Sequence, residues 1–475
     1  MNKVTKRTKV LYGLGAFGYG SIGQTMGTFL MFFGTAVLGI PGALMGLAIA
    51  IGTICDATTD PIVGHLSDKT KSKRFGKRHG YILVGCIAVA LINLMIWSIN
   101  PAWPVMAKFL MMVALLVIIE TFCTVYSTPY GALGLDLAKT YDERTAIQGF
   151  KTVFSFLSLL VPFALMTWLL TPTEYVTMEA STRGYRQMAL FTGALCIICG
   201  LICFFGTIRH RQRFDNKEEV KSVSIRDSST VVCFANQSTE EKNNFRNIFT
   251  NFFSIIKQKN VGLLIAGYAA SLSAGAFITT LGLHVFTYTF GFSTIEIPII
   301  MVCLIAGIVL GQPFWFNISR RLDKPTTLMY ALFTVILGII IFALILSFRN
   351  TLYPSQVLPI VALAVTICGI GTGCLYSLPI SMFADMIDLN NKKTGTDKTA
   401  LAAGFLTFCT KISNALIMFI IGVSLDLIGF SGGTAVQSMS TQNWLGTLLV
   451  VGVTIACITS LIVYSKYSYN RDDFE

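Results

Sequence analysis

Charged side chains are scarce in this chain. Asp, Glu, Lys and Arg make up 13% of its 475 residues, about half the share found in soluble domains, which excludes a string of soluble globular units. Histidine is nearly absent. The four present (His65, His79, His210 and His284) are scattered and supply neither a metal cluster nor a nucleophile–base set, so an enzyme is not expected. The twelve cysteines show no paired or zinc-like spacing, and Cys196 and Cys199, although two residues apart, sit in an apolar run where buried thiols are the natural reading. A cleavable signal peptide is not expected either, since the first apolar run is too long and lacks a cleavage site. No polar stretch is long enough for a folded signalling domain.

Apolar runs fill the chain instead, with 53% hydrophobic residues. Runs long enough to span a bilayer, roughly 17–25 residues or more, fall near 11–38, 43–64, 81–99, 104–130, 148–170, 187–206, 261–289, 296–318, 327–347, 355–380, 400–425 and 443–464. The expectation is an all-α membrane protein with twelve transmembrane helices. Residues 1–206 form one six-helix half and 261–475 the other. The polar stretch 207–260 joins them as a linker, with a short amphipathic helix at 245–256. The halves echo each other: helices two and eight each end in a basic turn containing an acid, and helices four and ten each precede an acidic stretch. Internal repeats of this kind are common in secondary transporters.

The net charge of +12 could suggest a nucleic-acid partner, but its distribution points to membrane orientation. Placing both termini and alternate loops in the cytoplasm puts nearly all the loop Lys and Arg there. The opposite side then holds only Arg183, Arg186 and Arg349, and Lys108, Lys151 and Lys411 lie inside helices. This is the positive-inside pattern. The location expected is therefore the cell membrane, with the lipid bilayer as surroundings, no nucleic acid bound, and the protein acting as a monomer. A dinucleotide-like match, Gly13-x-Gly15-x-x-Gly18, fails because it lies in the first spanning run with no preceding strand. Close helix packing explains those glycines better.

The chemistry concentrates in helix two. Asp56 and Asp60 are four residues apart, so both carboxylates share one helix face, with the Thr59 hydroxyl near it. An acid in hydrocarbon costs about 2.5–3.5 kcal/mol on insertion scales, and such a pair needs a cation, a proton or a basic partner. Lys411, in the middle of helix eleven, needs an acid in turn, and Asp56 or Asp60 are the candidates. Two carboxylates and one ammonium make a site that can exchange its lysine for Na⁺ or H⁺. The competing reading is a structural ion pair. Thr407 lies one turn before Lys411 on the same face. Helix four carries Glu120, Thr124 and Ser127 on one stripe, followed by Pro129 and Tyr130, and Lys151 opens helix five. No metal site beyond the coupling cation and no cofactor are expected.

The segment Asp56-Ala57-x-x-Asp60-Pro61-x-x-Gly64-x-x-Ser67-Asp68-x-Thr70, followed by Arg74-x-Gly76-Lys77-Arg78, resembles the glycoside–pentoside–hexuronide:cation symporters of the major facilitator superfamily, the melibiose permease-like carriers. Tyr12-Gly13-x-Gly15, Pro129-Tyr130-x-Ala132-Leu133 with Glu143-Arg144, and Ala384-Asp385-Met386-Ile387-Asp388 extend the resemblance over nearly the whole chain. It implies a cation site of Asp56, Thr59, Asp60 and Thr124 with Lys411 nearby. Substrate contacts are expected from Gly20, Ser127 and Lys151, which the resemblance aligns with the family's substrate positions, and from Glu120, Tyr130, Thr407 and Lys411, read from their places on helices four and eleven. Gly20 and Ser127 stand where the family's melibiose carriers place acids. A cytoplasmic gate would comprise Gly64, Asp68, Arg74, Lys77, Arg78, Asp136, Arg144, Asp385 and Asp388, whose charge pairs would hold the outward-facing state. The activity implied is cation-coupled symport of a small-molecule substrate, a sugar or glycoside. The segments 120–130 and 410–411 are also similar to the sodium-dependent lysophosphatidylcholine symporters, making a lysolipid the alternative substrate.

Overall fold

The computed structural model describes residues 4–70, 75–137, 141–169, 178–225, 259–394, 399–434 and 436–467. Among these residues all regular structure is helical. The first half contains α1 (Lys6–Phe32), α2 (Gly42–Lys69), α3 (His79–Ile96), α4 (Val105–Leu137), α5 (Tyr141–Ser158), α6 (Val161–Leu169) and α7 (Met178–Ile225). The second contains α8 (Lys259–His284), α9 (Glu296–Ser319), α10 (Lys324–Phe348), α11 (Pro354–Leu375), α12 (Leu378–Thr394), α13 (Thr399–Leu427) and α14 (Met439–Ser465).

Two of the expected spans are built from two helices each. Among the described residues α5 with α6, and α11 with α12, make one span apiece. Proline accounts for both breaks. Pro162 and Pro379 sit second in α6 and α12, where a missing N–H is tolerated but an unbroken preceding helix is not. Eleven spans among the described residues are long and apolar enough to cross a membrane. The twelfth is α1, whose glycines and basic first turn lower its hydropathy. It has 27 residues and packs between α5, α7 and α8. The sixth span also runs on as helix to Ile225, past its expected end at 206. The amphipathic helix expected at 245–256 lies outside the described residues.

The internal repeat is visible in the backbone. α1 and α8 each end in a five-residue π-helical turn, Phe33–Val37 and Val285–Thr289. Each turn is followed by a glycine at positive φ, Gly39 at 64° and Gly291 at 68°, a conformation that glycine adopts without steric cost. The glycines of α1 act as contact points: a Cβ at Gly13 would strike Phe154, and one at Gly18 would strike Cys199. Polar locks add to the packing. Asn93 of α3 donates to the Ala189 carbonyl and to Thr192 Oγ1 of α7, both at 3.2 Å, and accepts from Trp97 Nε1 at 2.9 Å, the kind of interhelical bond that joins membrane helices.

The halves meet at the end of the bundle remote from Lys69 and Lys77. There Gly433 N–H donates to the Ala36 carbonyl at 2.7 Å. Thr35 Oγ1 lies 3.0 Å from His284 Nε2, and both residues are fully buried. Asp426 of α13 accepts from the first backbone N–H groups of α2, Gly42 at 2.6 Å and Ala43 at 2.8 Å. A carboxylate at a helix N-terminus satisfies donors that have no partner inside the helix and complements the helix dipole.

A candidate cation site between the halves

α2 and α13 run against each other along most of their length. Near Asp426 the contact is backbone to backbone: a Cβ at Gly422 would collide with the Gly42 carbonyl, and one at Gly46 with the Met418 carbonyl. Farther along the same seam the helices carry charge. Lys411 Nζ lies 2.6 Å from Asp56 Oδ2 and donates to Asp60 Oδ2 at 2.5 Å. The i, i+4 spacing puts both carboxylates on the face of α2 that meets α13, as helical periodicity requires. Pro61 follows directly, and as a helix-interior proline it leaves the Ala57 carbonyl without its usual N–H partner.

α4 completes the group. Thr124, fully buried, donates to Asp56 Oδ1 at 2.7 Å and lies 3.2 Å from the Thr59 hydroxyl. Thr59 itself donates to the Asp56 carbonyl at 3.2 Å. Two carboxylates of α2 therefore hold one ammonium from α13, and the Thr59 and Thr124 hydroxyls and the Asp56 carbonyl adjoin through Asp56. The side chains of Asp56, Asp60 and Lys411 keep 18%, 31% and 22% of their exposure, so the cluster is sheltered yet reachable from water. All five residues expected at a cation site are thus in one place.

The residues expected to contact substrate are more dispersed. Glu120 packs over Gly52 of α2, one turn from Thr124. Gly20 of α1 faces Ser158 of α5, whose hydroxyl occupies the space of a Cβ. Farther along α1, Gly23 and Gly27 face open space. Ser127 and Lys151 are half-buried, and Thr407 is exposed. Tyr130 departs from expectation. It is buried at 2% exposure and stacks on Tyr12 with ring centres 4.5 Å apart. Tyr130 Oη donates to the Tyr12 carbonyl at 2.7 Å, and Tyr12 Oη to the Tyr130 carbonyl at 3.1 Å. This reciprocal pair locks α1 to α4 and turns Tyr130 away from open space. Lys151 Nζ sits 5.7 Å from the Tyr130 ring centre.

Of the expected gate charges, Arg78 and Asp136 pair with each other, and Asp385 pairs with Lys324, which was not among them. Arg78 contacts Asp136 at 3.3 Å and donates to Ser67 Oγ at 2.7 Å, all within the first half. Asp385 pairs with Lys324, which also donates to Ser381 Oγ at 2.9 Å, all within the second. These contacts brace each half and do not bridge the two. Gly64 lies beside Thr128 with room for a methyl group, and Lys77 is exposed. Arg74 and the side chains of Asp68, Arg144 and Asp388 lie outside the described part of the structure.

Asp426 was not among the residues that sequence reasoning singled out. The signal available was an acid near the end of an otherwise apolar helix, Ser424-Leu425-Asp426, opposite the Gly-rich start of helix two.

A family model described as MFS/sugar transport protein matches residues 11–471. The chain belongs to this family. Within it, the chain is similar to an uncharacterized symporter of Synechocystis sp., at 24% identity over 89% of this chain and 86% of that one. It is also similar to sodium-dependent lysophosphatidylcholine symporter 1 of Xenopus tropicalis, at 22% identity over 99% of this chain and 89% of that one. Among solved structures, an inward-facing bacterial homologue of the human lysosomal transporter Spinster superposes with a TM-score of 0.68, covering 99% of both chains at 14% identity. The fold is the major facilitator fold, and this family member is an integral, multi-pass membrane protein whose relatives are transporters.

Proposed function

We propose that this family member is a secondary active transporter, a symporter that couples entry of Na⁺ or H⁺ to uptake of a sugar or glycoside by alternating access. One observation carries the reading: Lys411 of the second half lies between Asp56 and Asp60 of the first, with Thr124 and Thr59 adjoining. Asp56, Asp60, Thr59 and Thr124 supply the oxygen ligands of a hard cation, and Lys411 holds their place when the ion is absent. Ion binding releases the lysine and with it one tie between the halves. A ligand that favours one arrangement shifts the population by its difference in affinity for the two.

The closed seam at Asp426, Gly42 and Gly422 supports an inward-facing arrangement, with both termini and the basic turn in the cytoplasm. In this scheme 1–206 and 261–475 are the moving halves, 207–260 is their tether, and the monomer suffices. Arg78–Asp136 and Lys324–Asp385 brace each half while the cytoplasmic side is open. Substrate enters the space beside Gly23 and Gly27, within reach of Gly20, Glu120, Ser127, Lys151 and Thr407.

The second reading is sodium-dependent uptake of a lysolipid. It is favoured by the similarity to the Xenopus tropicalis symporter and by Gly20 and Ser127, which offer no carboxylate to sugar hydroxyls. Uptake into proteoliposomes decides between them. A glycoside panel and a labelled lysophospholipid are offered under an inward Na⁺ gradient, an inward H⁺ gradient, or neither. Gradient-driven glycoside uptake supports the sugar reading and names the ion, lysolipid uptake alone supports the second, and gradient-independent uptake of any substrate rejects symport.

A further inference from the structure

An open groove of about 650 Å³ lies on the outer surface of the second half, between α9 and α10. Its floor is Trp315, buried and fixed by a 2.8 Å hydrogen bond from Nε1 to the Ile370 carbonyl of α11. Its wall is one stripe of α10: Tyr330, Phe333, Thr334 and Leu337. Those spacings repeat once per helical turn, so the wall is continuous. Leu337 lies thirteen residues beyond Lys324, the first residue of α10, or about 20 Å at 1.5 Å per residue. The hydrocarbon core is about 30 Å thick, so the groove extends beyond half its depth, the reach of a single acyl chain.

The mouth differs from the rest. Arg321 and Leu322, in the turn between the two helices, close the groove at the membrane surface. The neighbouring cations are engaged: Lys324 pairs with Asp385, and the Arg320 guanidinium stacks 4.6 Å from the Phe316 ring centre. Arg321 is exposed, and among the described residues its guanidinium has no ion-pair partner. An apolar slot one acyl chain long, capped by an available guanidinium at headgroup level, matches one amphiphile in both shape and charge. Phosphate is a preferred partner for arginine through paired N–H donors, and basic pockets at the ends of membrane helices select anionic headgroups.

We propose that this groove binds an anionic glycerophospholipid, one acyl chain against Trp315, Phe333 and Leu337 and the phosphate on Arg321. The site is separate from the Lys411 cluster and does not depend on what the protein transports.

Native mass spectrometry of the purified full-length protein tests this, with dioleoylphosphatidylglycerol and dioleoylphosphatidylcholine offered together. The wild type is expected to retain phosphatidylglycerol about fivefold over phosphatidylcholine, the preference one cation at a membrane surface confers. Arg321→Gln should abolish that preference. Arg321→Lys should keep most of it and shows that the fold survives, and Arg320→Gln should leave it unchanged. Thr334→Trp, which fills the slot, should lower retention of both lipids with helical content intact. Equal retention of the two lipids by the wild type, an unaltered preference in Arg321→Gln, or an equal loss in Arg320→Gln would overturn the proposal, the last by reducing it to general surface charge.

Discussion

Lys411 and Asp60 are 351 positions apart in the chain, and Nζ of one donates to Oδ2 of the other at 2.5 Å. With Asp56 at 2.6 Å from the same ammonium, the lysine occupies the carboxylate oxygens that the cation of the proposed symport would use. Substituting Lys411→Met removes the competitor and leaves two carboxylates unneutralised. Sodium should then bind more tightly, by about tenfold or more, since breaking a sheltered ion pair strands charge worth several kcal/mol. Thermal unfolding in detergent over a NaCl series, with choline chloride as the control, reads this as a lower half-saturating Na⁺ concentration for the rise in Tm. Gradient-driven uptake should fall, because the tie between the halves is gone. Unchanged Na⁺ affinity would mean that the lysine does not compete for the site.

Thr124 provides a finer probe. Its hydroxyl donates to Asp56 at 2.7 Å from a fully buried position, and hydrogen bonds to charged groups contribute about 1.5–3 kcal/mol. Thr124→Val keeps the shape and removes the donor and acceptor. Ion affinity should change by about ten- to a hundredfold, with Thr124→Ser close to wild type. Isothermal titration with Na⁺ makes the comparison, and equal affinities for Val and Ser would remove Thr124 from the site.

The seam beyond the charges should control access from the far side. A side chain at Gly422 meets the Gly42 carbonyl, and Asp426 caps the start of α2. Gly422→Leu should prop this end apart, and Asp426→Ala should weaken the closure by roughly 0.5–2 kcal/mol, the range for a lost helix cap. Spin labels at Trp103 and Leu427, both exposed, would report a longer-distance population, large in Gly422→Leu and smaller in Asp426→Ala. Identical distance distributions in all three proteins would exclude this end as a moving gate.

Gly20 and Ser158 form a testable pair within one half. A Cβ at Gly20 falls on Ser158 Oγ, which already donates to the Ser155 carbonyl at 2.7 Å. Gly20→Ala should therefore lower the Tm, as overpacking typically costs about 1–3 kcal/mol. Gly20→Ala with Ser158→Ala should recover most of the loss. Additive Tm changes in the double variant would show that the two positions do not share the space.

Much of the site was legible because the rules involved are local. The four-residue spacing of Asp56 and Asp60 fixes their common face wherever the helix lies. An intramembrane lysine must find an acid, and few acids lie at the depth of Lys411. The prolines were equally local signals: Pro162 and Pro379 interrupt the fifth and tenth spans at the points where the two-helix spans divide, although apolar run length alone suggested continuous helices. The residues that sequence placed differently from the structure depend on partners far along the chain. Tyr130 reads as a cavity residue until Tyr12, 118 positions away, takes its hydroxyl. Asp385 reads as pairing within the expected gate charges until Lys324, 61 positions away, takes it.

Composition and periodicity by themselves determined the helical membrane class, the twelve spans, the repeat of two halves and the face that Asp56 and Asp60 share, because hydropathy and helical pitch act over a few turns of chain. Tertiary structure alone decided that α13 lies along α2, that Asp426 caps Gly42, and at what distances Lys411 and Thr124 meet the acidic pair. Those contacts join residues tens to hundreds of positions apart, and what selects them is the close fit of glycine backbones and the need of each sheltered charge for a partner at hydrogen-bond distance.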